Sequence, residues 1–178
     1  MSSVRKSSAL DPDGRQKPAG KARRNFSGDE NGATAVEFGL IFFSGQVLDN
    51  ATAEAARLIR TGQAQASGFS AADFKNAICS SSGTLFDCQS NLKVDVRTAA
   101  TFGAANTGKP MTDGALDDSN FTFSMGGREE IVVVRVFYEW PVWVPLMAVP
   151  GTKGVQLGDL ANGNFLLSSA LVFRNEPF

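Results

Sequence analysis

Residues 32–65 read GATAVEFGLIFFSGQVLDNATAEAARLIRTGQAQ, and this stretch decides the fold. Its apolar residues recur at steps of three and four, which is the spacing of one helix face. They are Val36, Leu40, Phe43, Val47, Ala51, Ala55 and Leu58. The polar and charged residues Gln46, Asp49, Glu54 and Arg57 fall mostly on the other side. No proline interrupts the stretch, so we predict one helix of about 50 Å at about 1.5 Å per residue.

Downstream of this helix the pattern predicts one short helix and then strands. Ser70 followed by Asp73 is typical of a helix N-terminus, and the helix would run through Phe74, Ala77 and Ile78. A period of two follows at residues 92–97, which predicts a strand with one face on a core and one in water. Its inward residues are Leu92, Val94 and Val96, and its outward residues are Lys93, Asp95 and Arg97.

Two further apolar runs complete a sheet. Residues 131–140, IVVVRVFYEW, predict a central strand that ends before Pro141, and residues 165–173, FLLSSALVF, predict a last strand. Residues 98–128 favour loop, with a brief edge strand around Phe121 and Phe123. Because no helix separates the strands, we expect a mostly antiparallel sheet of three to four strands. The predicted class is α+β, with the long helix docked on the sheet through Val47, Ala51, Ala55 and Leu58.

The composition limits the chemistry available to the protein. A net charge of −1 gives no drive towards nucleic acid, and histidine, the commonest general base and metal ligand, is absent from the 178 residues. Cys79 and Cys88 cannot make a four-ligand zinc site by themselves. We favour a local disulfide formed in an oxidising compartment, with two buried free thiols as the alternative. No cofactor, no metal site and no enzymatic activity are predicted.

The sequence divides into three parts. Residues 1–32 are polar and basic and lack core-forming side chains, so we predict a disordered leader or cytoplasmic segment. Residues 33–66 form the long helix, and residues 67–178 form an α+β domain. The apolar start of the helix, residues 32–43, is shorter than the roughly 20 residues that cross a bilayer.

Several segments together resemble one protein family. The heptapeptide GATAVEF at residues 32–38 looks like the processing site of type IV pilin-like precursors, with a basic leader ending in glycine and a glutamate five places after the cut. With QVLDNA at 46–51, AARLIRTGQAQ at 55–65, the paired cysteines and FRNEP at 173–177, the chain is similar to the TadE/TadG-like proteins of the tight-adherence (Flp) pilus apparatus. The similarity covers residues 32–178.

The resemblance implies a bacterial pseudopilin with a pilin-like fold that supports pilus assembly. A prepilin peptidase would cut between Gly32 and Ala33, beside the motif residues Glu37 and Phe38. The helix would hold the protein in the inner membrane, with the C-terminal domain in the periplasm. Its partners would be other pilin-like subunits and pilus assembly proteins. Glu37 would meet the free N-terminal amine of a neighbouring subunit, because a carboxylate in lipid needs a charge partner.

One departure from the family pattern concerns the membrane segment. Family members carry a full apolar span after the Glu-Phe pair, whereas here Phe38 is followed directly by Gly39, Leu40 and Ile41. We infer that roughly 15 to 20 residues are missing, by engineering or by natural deletion, since that number restores a spanning length. We expect the shortened chain to be soluble.

Two other functions compete with the pseudopilin as interpretations of the sequence. One is a soluble periplasmic binding module that grips a ligand or a protein through Trp140, Trp143, Phe121 and Phe123. The other is a hydrolase using Ser168 or Ser169. The latter is disfavoured because no GxSxG motif surrounds these serines and no histidine is present to act as their base.

Overall fold

The chain forms helices first and strands afterwards. The computed structural model describes residues 30–83, 85–87, 91–142 and 158–178. Within these residues the helices are α1 (Glu30–Arg60), α2 (Gln63–Ala66) and α3 (Ala71–Ser82). The strands are β1 (Leu92–Ala99), β2 (Met111–Thr112), β3 (Ala115–Leu116), β4 (Ile131–Trp140) and β5 (Phe165–Arg174). The predicted α+β class is confirmed, with a long helix packed on a small antiparallel sheet.

Strand β4 is the centre of the sheet, and its composition explains this position. β-Branched and aromatic residues at nearly every site suit a strand covered on both faces, and all its residues except Glu139 are buried. It pairs antiparallel with β1, where Val96 is opposite Val134, and with β5, where Leu171 is opposite Val134. The three strands therefore lie in the order β1-β4-β5. The three strands predicted from the sequence are confirmed.

One face of the sheet carries the main core and is covered by α1 and α3. Alternate residues of β4 point into this core, as expected from the two-residue repeat of a strand. These are Val132, Val134, Val136, Tyr138 and Trp140. Leu48 and Ile59 of α1 and Phe74 and Ile78 of α3 are fully buried in the same cluster.

Helix α1 ends earlier than predicted. It stops at Arg60, and Gly62 adopts a left-handed conformation with φ of 78°, which ends the helix because such a φ is incompatible with its continuation. Residues Gln63–Ala66 then form the separate single turn α2. The helix predicted over residues 33–66 is therefore wrong at its C-terminal end. It begins at Glu30, inside the segment predicted to be disordered, and residues 1–29 lie outside the described residues.

The buried stripe of α1 differs from the predicted apolar face. The buried residues are Glu37, Ile41, Ser44, Leu48, Ala51, Thr52, Ala55, Ala56 and Ile59. Of the predicted docking residues, Ala51 and Ala55 are buried, and Val47 and Leu58 are partly buried against the core. The two stripes differ by one residue, a rotation of about 100°. Periodicity could not separate them, because large apolar side chains occur on both.

The second face of the sheet was predicted to be in water, and for β1 this is wrong. Asp95 on that face is fully buried, because residues of the 100–130 segment and residues 158–164 cover it. A small second core forms there from Phe137, Leu160 and Leu166, with Leu116 and Phe121 packed against it. The covering segment contains little regular structure, so hydrogen bonds must fix its position.

Asp95 supplies those hydrogen bonds. Its carboxylate accepts from Nε of Arg135 at 2.9 Å, from Nη2 of Arg97 at 2.7 Å and from the Thr122 N–H at 2.9 Å. Arg135 donates in turn to the carbonyl of Gly108 at 3.0 Å. Its guanidinium carbon also lies 6.0 and 5.9 Å from the ring centroids of Phe121 and Phe137, within the range of a cation–π contact. The network ties the covering segment to β1 and β4.

Burial and hydrogen bonding act on Asp95 in opposite directions. Burial raises the pKa of its carboxyl, but the hydrogen bonds from Arg97, the Thr122 N–H and Arg135, with the charge of Arg135, lower it by more. The pKa of Asp95 therefore lies below its ordinary value, and the ionised form is the one that the fold stabilises.

The loop between β1 and β4 also contains a hairpin that was not predicted. Strands β2 and β3 are joined by Asp113 and Gly114, both with positive φ, 52° and 75°. An Asp-Gly pair is a strong signal for a two-residue hairpin turn and could have located it. The predicted edge strand at Phe121 and Phe123 is present only as an isolated parallel bridge between Phe123 and Val96.

The start of α3 agrees with the sequence prediction. Ser70 is the N-cap, its side chain accepts from the Asp73 N–H, and the Asp73 carboxylate accepts from the Ser70 N–H at 2.9 Å. The predicted capping box is confirmed, and the helix continues to Ser82.

We predict that Asp95→Ala lowers the free energy of unfolding by about 3 to 5 kcal/mol, because it leaves the buried Arg135 charge without its partner. Asp118→Ala is the matched control: it removes an exposed ion pair, the 2.7 Å contact with Lys93, and its loss should stay below about 1 kcal/mol. Urea denaturation followed by circular dichroism measures both. Equal losses in the two variants would contradict the assigned role of Asp95.

The same carboxylate makes stability depend on pH. Since the pKa of Asp95 is lowered in the folded state, its contribution is complete above the unfolded value of about 3.9 and is lost as pH falls through the lower folded value. The wild-type protein should therefore lose stability more steeply below about pH 4 than Asp95→Ala does. Denaturation series between neutral and acidic pH compare the two slopes.

Candidate functional site

The first half of α1 exposes large apolar side chains on both flanks of its inward stripe: Val36, Leu40 and Phe43 lie on one flank and Phe38 and Phe42 on the other. Val36, Phe38, Phe42 and Phe43 are between 57% and 66% exposed, and Leu40 is 38% exposed. We call these five residues the apolar helix surface. Single exposed apolar residues are common, but five of them within eight positions of one helix are typical of a contact surface.

These apolar side chains are exposed because other residues of the same helical turns occupy the side that faces the domain. Glu37, Ile41 and Ser44 occupy the inward stripe, so the large residues between them point away from the domain. Glu37 is only 4% exposed, and it has an interaction partner within the protein. Two of the three inward residues are polar. The first half of α1 therefore adds little apolar burial to the core, and its apolar content lies mainly on the outside.

The predicted processing residues lie on this half of the helix. Gly32 and Ala33 belong to the first turns of α1. Glu37 and Phe38 are adjacent in sequence, but their side chains have opposite environments, since Glu37 is buried and Phe38 is exposed. The burial of Glu37 was not expected from the sequence.

Two other segments that carry the family resemblance meet at the opposite end of α1. The Glu176 N–H donates to the Arg60 carbonyl at 2.8 Å, and the two side chains form an exposed ion pair at 3.5 Å. The Phe178 ring lies against Gly62 so closely that a Cβ added to Gly62 would be 2.3 Å from the ring. The ending of the chain therefore closes over the end of the long helix.

Amide side chains extend this junction to the loop before β4. Nδ2 of Asn175 donates to the carbonyls of Met125 and Gly127 at 3.0 and 2.9 Å. Nε2 of Gln65 also donates to the Met125 carbonyl at 3.2 Å. The contacts around Gly62 and Asn175 thus hold together the end of α1, the loop before β4 and the residues that follow β5.

Three aromatic residues of the binding-module hypothesis, Trp140, Phe121 and Phe123, pack within the two cores. Trp140 is 5% exposed and packs edge-on against Phe86. Phe121 packs on Phe137, and Phe123 packs on Phe74. Trp143 lies outside the described residues. In the part of the chain that the structure describes, these aromatic residues stabilise the two cores.

The polar candidates are dispersed as well. Ser168 is exposed and Ser169 is buried on adjacent positions of β5. Within residues 30–83, 85–87, 91–142 and 158–178, no three acidic or cysteine side chains converge as a metal site would require.

The cysteines are only partly visible. Cys79 lies half-buried on α3, packs against the main core and is not a free thiol. Cys88 lies outside the described residues, so its pairing with Cys79 stays a prediction.

Comparison with known proteins adds no assignment. No protein-family model, curated protein or solved structure matches this chain. Of the helices that the structure describes, none combines the length and apolar content needed to cross a bilayer.

We predict that Gly62→Ala destabilises the protein by about 2 kcal/mol or more, because the new methyl group adds a left-handed strain and displaces the Phe178 ring. Gly68→Ala is the control, since Gly68 has a similar φ of 65° but nothing within 4 Å of the added Cβ. Its loss should be only the backbone part, about 1 kcal/mol. Urea denaturation of both variants tests this prediction. A smaller loss of stability for Gly62→Ala than for Gly68→Ala would contradict the close contact between Phe178 and Gly62.

Proposed function

We propose that this protein is a pilin-like assembly component, a pseudopilin of the TadE/TadG kind, without enzymatic activity. In this proposal the long helix packs against helices of other pilin-like subunits while the α+β domain faces the periplasm. The observation that carries the proposal is the apolar helix surface, which continues directly into the part of α1 that holds the domain.

The energetics favour a partner for this surface. Burying one large apolar side chain contributes about 1.5 to 3 kcal/mol, and four of the five residues expose more than half of their area. If α1 contacted only its own domain, the outward positions before Leu48 would be expected to carry polar side chains, because they would face water. Phe38, Phe42 and Phe43 instead provide the aromatic area that partner helices commonly bury.

The proposed role of Glu37 is to neutralise the N-terminal amine of a neighbouring subunit after cleavage at Gly32. A carboxylate removed from water requires a charge or hydrogen-bond partner. Glu37 is 4% exposed here, so meeting an amine from another subunit requires the first turns of α1 to move away from the domain. Such a movement would give up the present interaction of Glu37 and the burial of Ile41, which the contacts with the neighbouring subunit would have to offset.

We predict that a prepilin peptidase removes residues 1–32. The protein is co-expressed with the peptidase in a version that carries about 15 to 20 additional apolar residues after Phe38, so that the helix spans the bilayer. Intact mass and N-terminal sequencing should give a protein that begins at Ala33. Gly32→Val should block cleavage, whereas Gly39→Val, at another helical glycine with no neighbouring atom within 4 Å, should not. An unchanged N-terminus in the restored protein would refute the proposal.

The apolar helix surface is tested by a second set of variants. Phe38→Ser, Phe42→Ser and Phe43→Ser combined should weaken association with pilin-like subunits in a cross-linking assay and change stability little, within about 0.5 kcal/mol per site. Leu48→Ala should do the opposite, lowering stability by about 2 to 5 kcal/mol because Leu48 is fully buried. If the triple variant retained full association, helix packing through this surface would be excluded.

A further inference from the structure

Strand β5 forms one edge of the main sheet, and its hydrogen bonds define which residues point outward. The Asn175 N–H donates to the Glu130 carbonyl, which extends the pairing of Arg174 with Ile131 by one residue. In an antiparallel pair the backbone groups of alternate residues face the partner strand. Residues 167, 169, 171 and 173 therefore bond to β4, and the N–H and C=O groups of residues 166, 168, 170 and 172 point away from it.

The first of these outward residues confirms the assignment and is already occupied. The Leu166 N–H donates to Oδ1 of Asp159 at 2.6 Å, and its carbonyl accepts from Nζ of Lys109 at 2.8 Å. Lys109 and Asp159 also form an ion pair at 3.0 Å. This pair closes one end of the edge and leaves Ser168, Ala170 and Val172 beyond it.

Ser168, Ala170 and Val172 form what we call the open edge. Among the described residues, no group bonds to their outward N–H and C=O groups. The opposite edge of the sheet is treated differently, since Val96 on β1 donates to Thr122 and accepts from Ser124. Sheet edges are often protected by lysine, proline or a bulge, or by a covering helix or loop. The open edge contains no lysine, proline or bulge, and its neighbour is helix α1.

Helix α1 lies alongside the open edge and forms grooves with it. One groove, of about 330 Å³, lies between Phe38, Ile41 and Phe42 of α1 and residues 165–168 of β5. The next, of about 560 Å³, lies between Ala53 and Arg57 of α1 and residues 171–173. Both grooves lie on the same flank of α1, and the groove nearer the start of α1 is also nearer the start of β5. An added strand would thus have side-chain space on the helix side.

We propose that the open edge of β5 binds an extended peptide segment of another protein by β-strand addition. The unpaired N–H and C=O groups require a partner that offers the same groups at strand spacing, which is a polypeptide backbone. Alternate side chains of the peptide enter the grooves. A large apolar side chain fits between Phe38, Phe42 and Phe165, and smaller or polar ones fit between Ala53 and Arg57.

A second folded copy of this chain does not fit the same edge. Helix α1 packs mainly on β5, so two copies joined edge to edge would bring their α1 helices to about the strand spacing of 4.8 Å. Packed helices need about 8 to 10 Å between axes. A single extended segment carries no such helix.

The test uses a fluorescein-labelled peptide, Glu-Thr-Phe-Thr-Val-Thr-Val-Thr-Lys, and its reversed sequence, with fluorescence anisotropy as the readout. Ala170→Pro removes an outward N–H that the sheet does not use, and proline is tolerated at such edge positions. We expect saturable binding of at least one peptide to the wild-type protein and about tenfold or greater weakening by Ala170→Pro. Ala170→Thr keeps the N–H and is the control, with affinity close to that of the wild type.

A second measurement stays decisive if Ala170→Pro does not fold. In the tighter-binding peptide, N-methylation of alternate amides removes the donors on one side of the strand at a time. Binding should be lost for one set of alternate amides and kept for the other. The proposal is overturned if neither peptide binds up to about 1 mM, if Ala170→Pro binds as the wild type does, or if both methylated sets bind equally.

Discussion

The close approach of α1 to the sheet is the constraint on which the other features depend. Ala51, Ala55 and Ala56 are almost fully buried, and their small side chains let the helix backbone approach β5 while Leu48 and Ile59 fill the spaces on either side. The first half of α1 contributes Ile41 as its one large buried apolar side chain, and its other large side chains point outward. The same contact places the helix flank beside the edge of β5.

The two faces of the sheet are held by different forces. The helix-covered face relies on apolar packing, whereas the other face carries a small apolar core and the Asp95–Arg135 pair. A hydrophobic replacement of that pair could fill the volume but could not bind the Gly108 carbonyl or the Thr122 N–H. Charged hydrogen bonds are thus the means by which a segment with little regular structure acquires a defined position.

The sequence predicted the elements better than their environments. The strands at Leu92–Ala99, Ile131–Trp140 and Phe165–Arg174 and the capping box at Ser70 follow from local patterns, because propensity and capping act within a few residues. The rotation of α1 could not be predicted, since Val47 and Leu48 are both apolar and only the partner surface selects between them. The local pattern predicts that Asp95 faces water, because its partner Arg135 is 40 residues away in the chain and a local pattern cannot reveal it.

The candidate site was predicted in the same uneven way. Gly32 to Phe38 stood out as a motif, but the motif does not indicate that Glu37 would be buried and Phe38 exposed. The edge of β5 has no sequence signature, because its properties arise from strand order and from the capping of Leu166 by Asp159 and Lys109.

The inward stripe of α1 changes from Glu37 and Ser44 at one end to Leu48 and Ile59 at the other. The two halves of this continuous helix therefore contribute unequally to the apolar core. Opening the second half would expose Leu48 and Ile59, whereas opening the first half would expose Ile41 as its one large buried apolar side chain. The hydrophobic contribution to docking is thus concentrated in the half of the helix that is nearer to the rest of the chain.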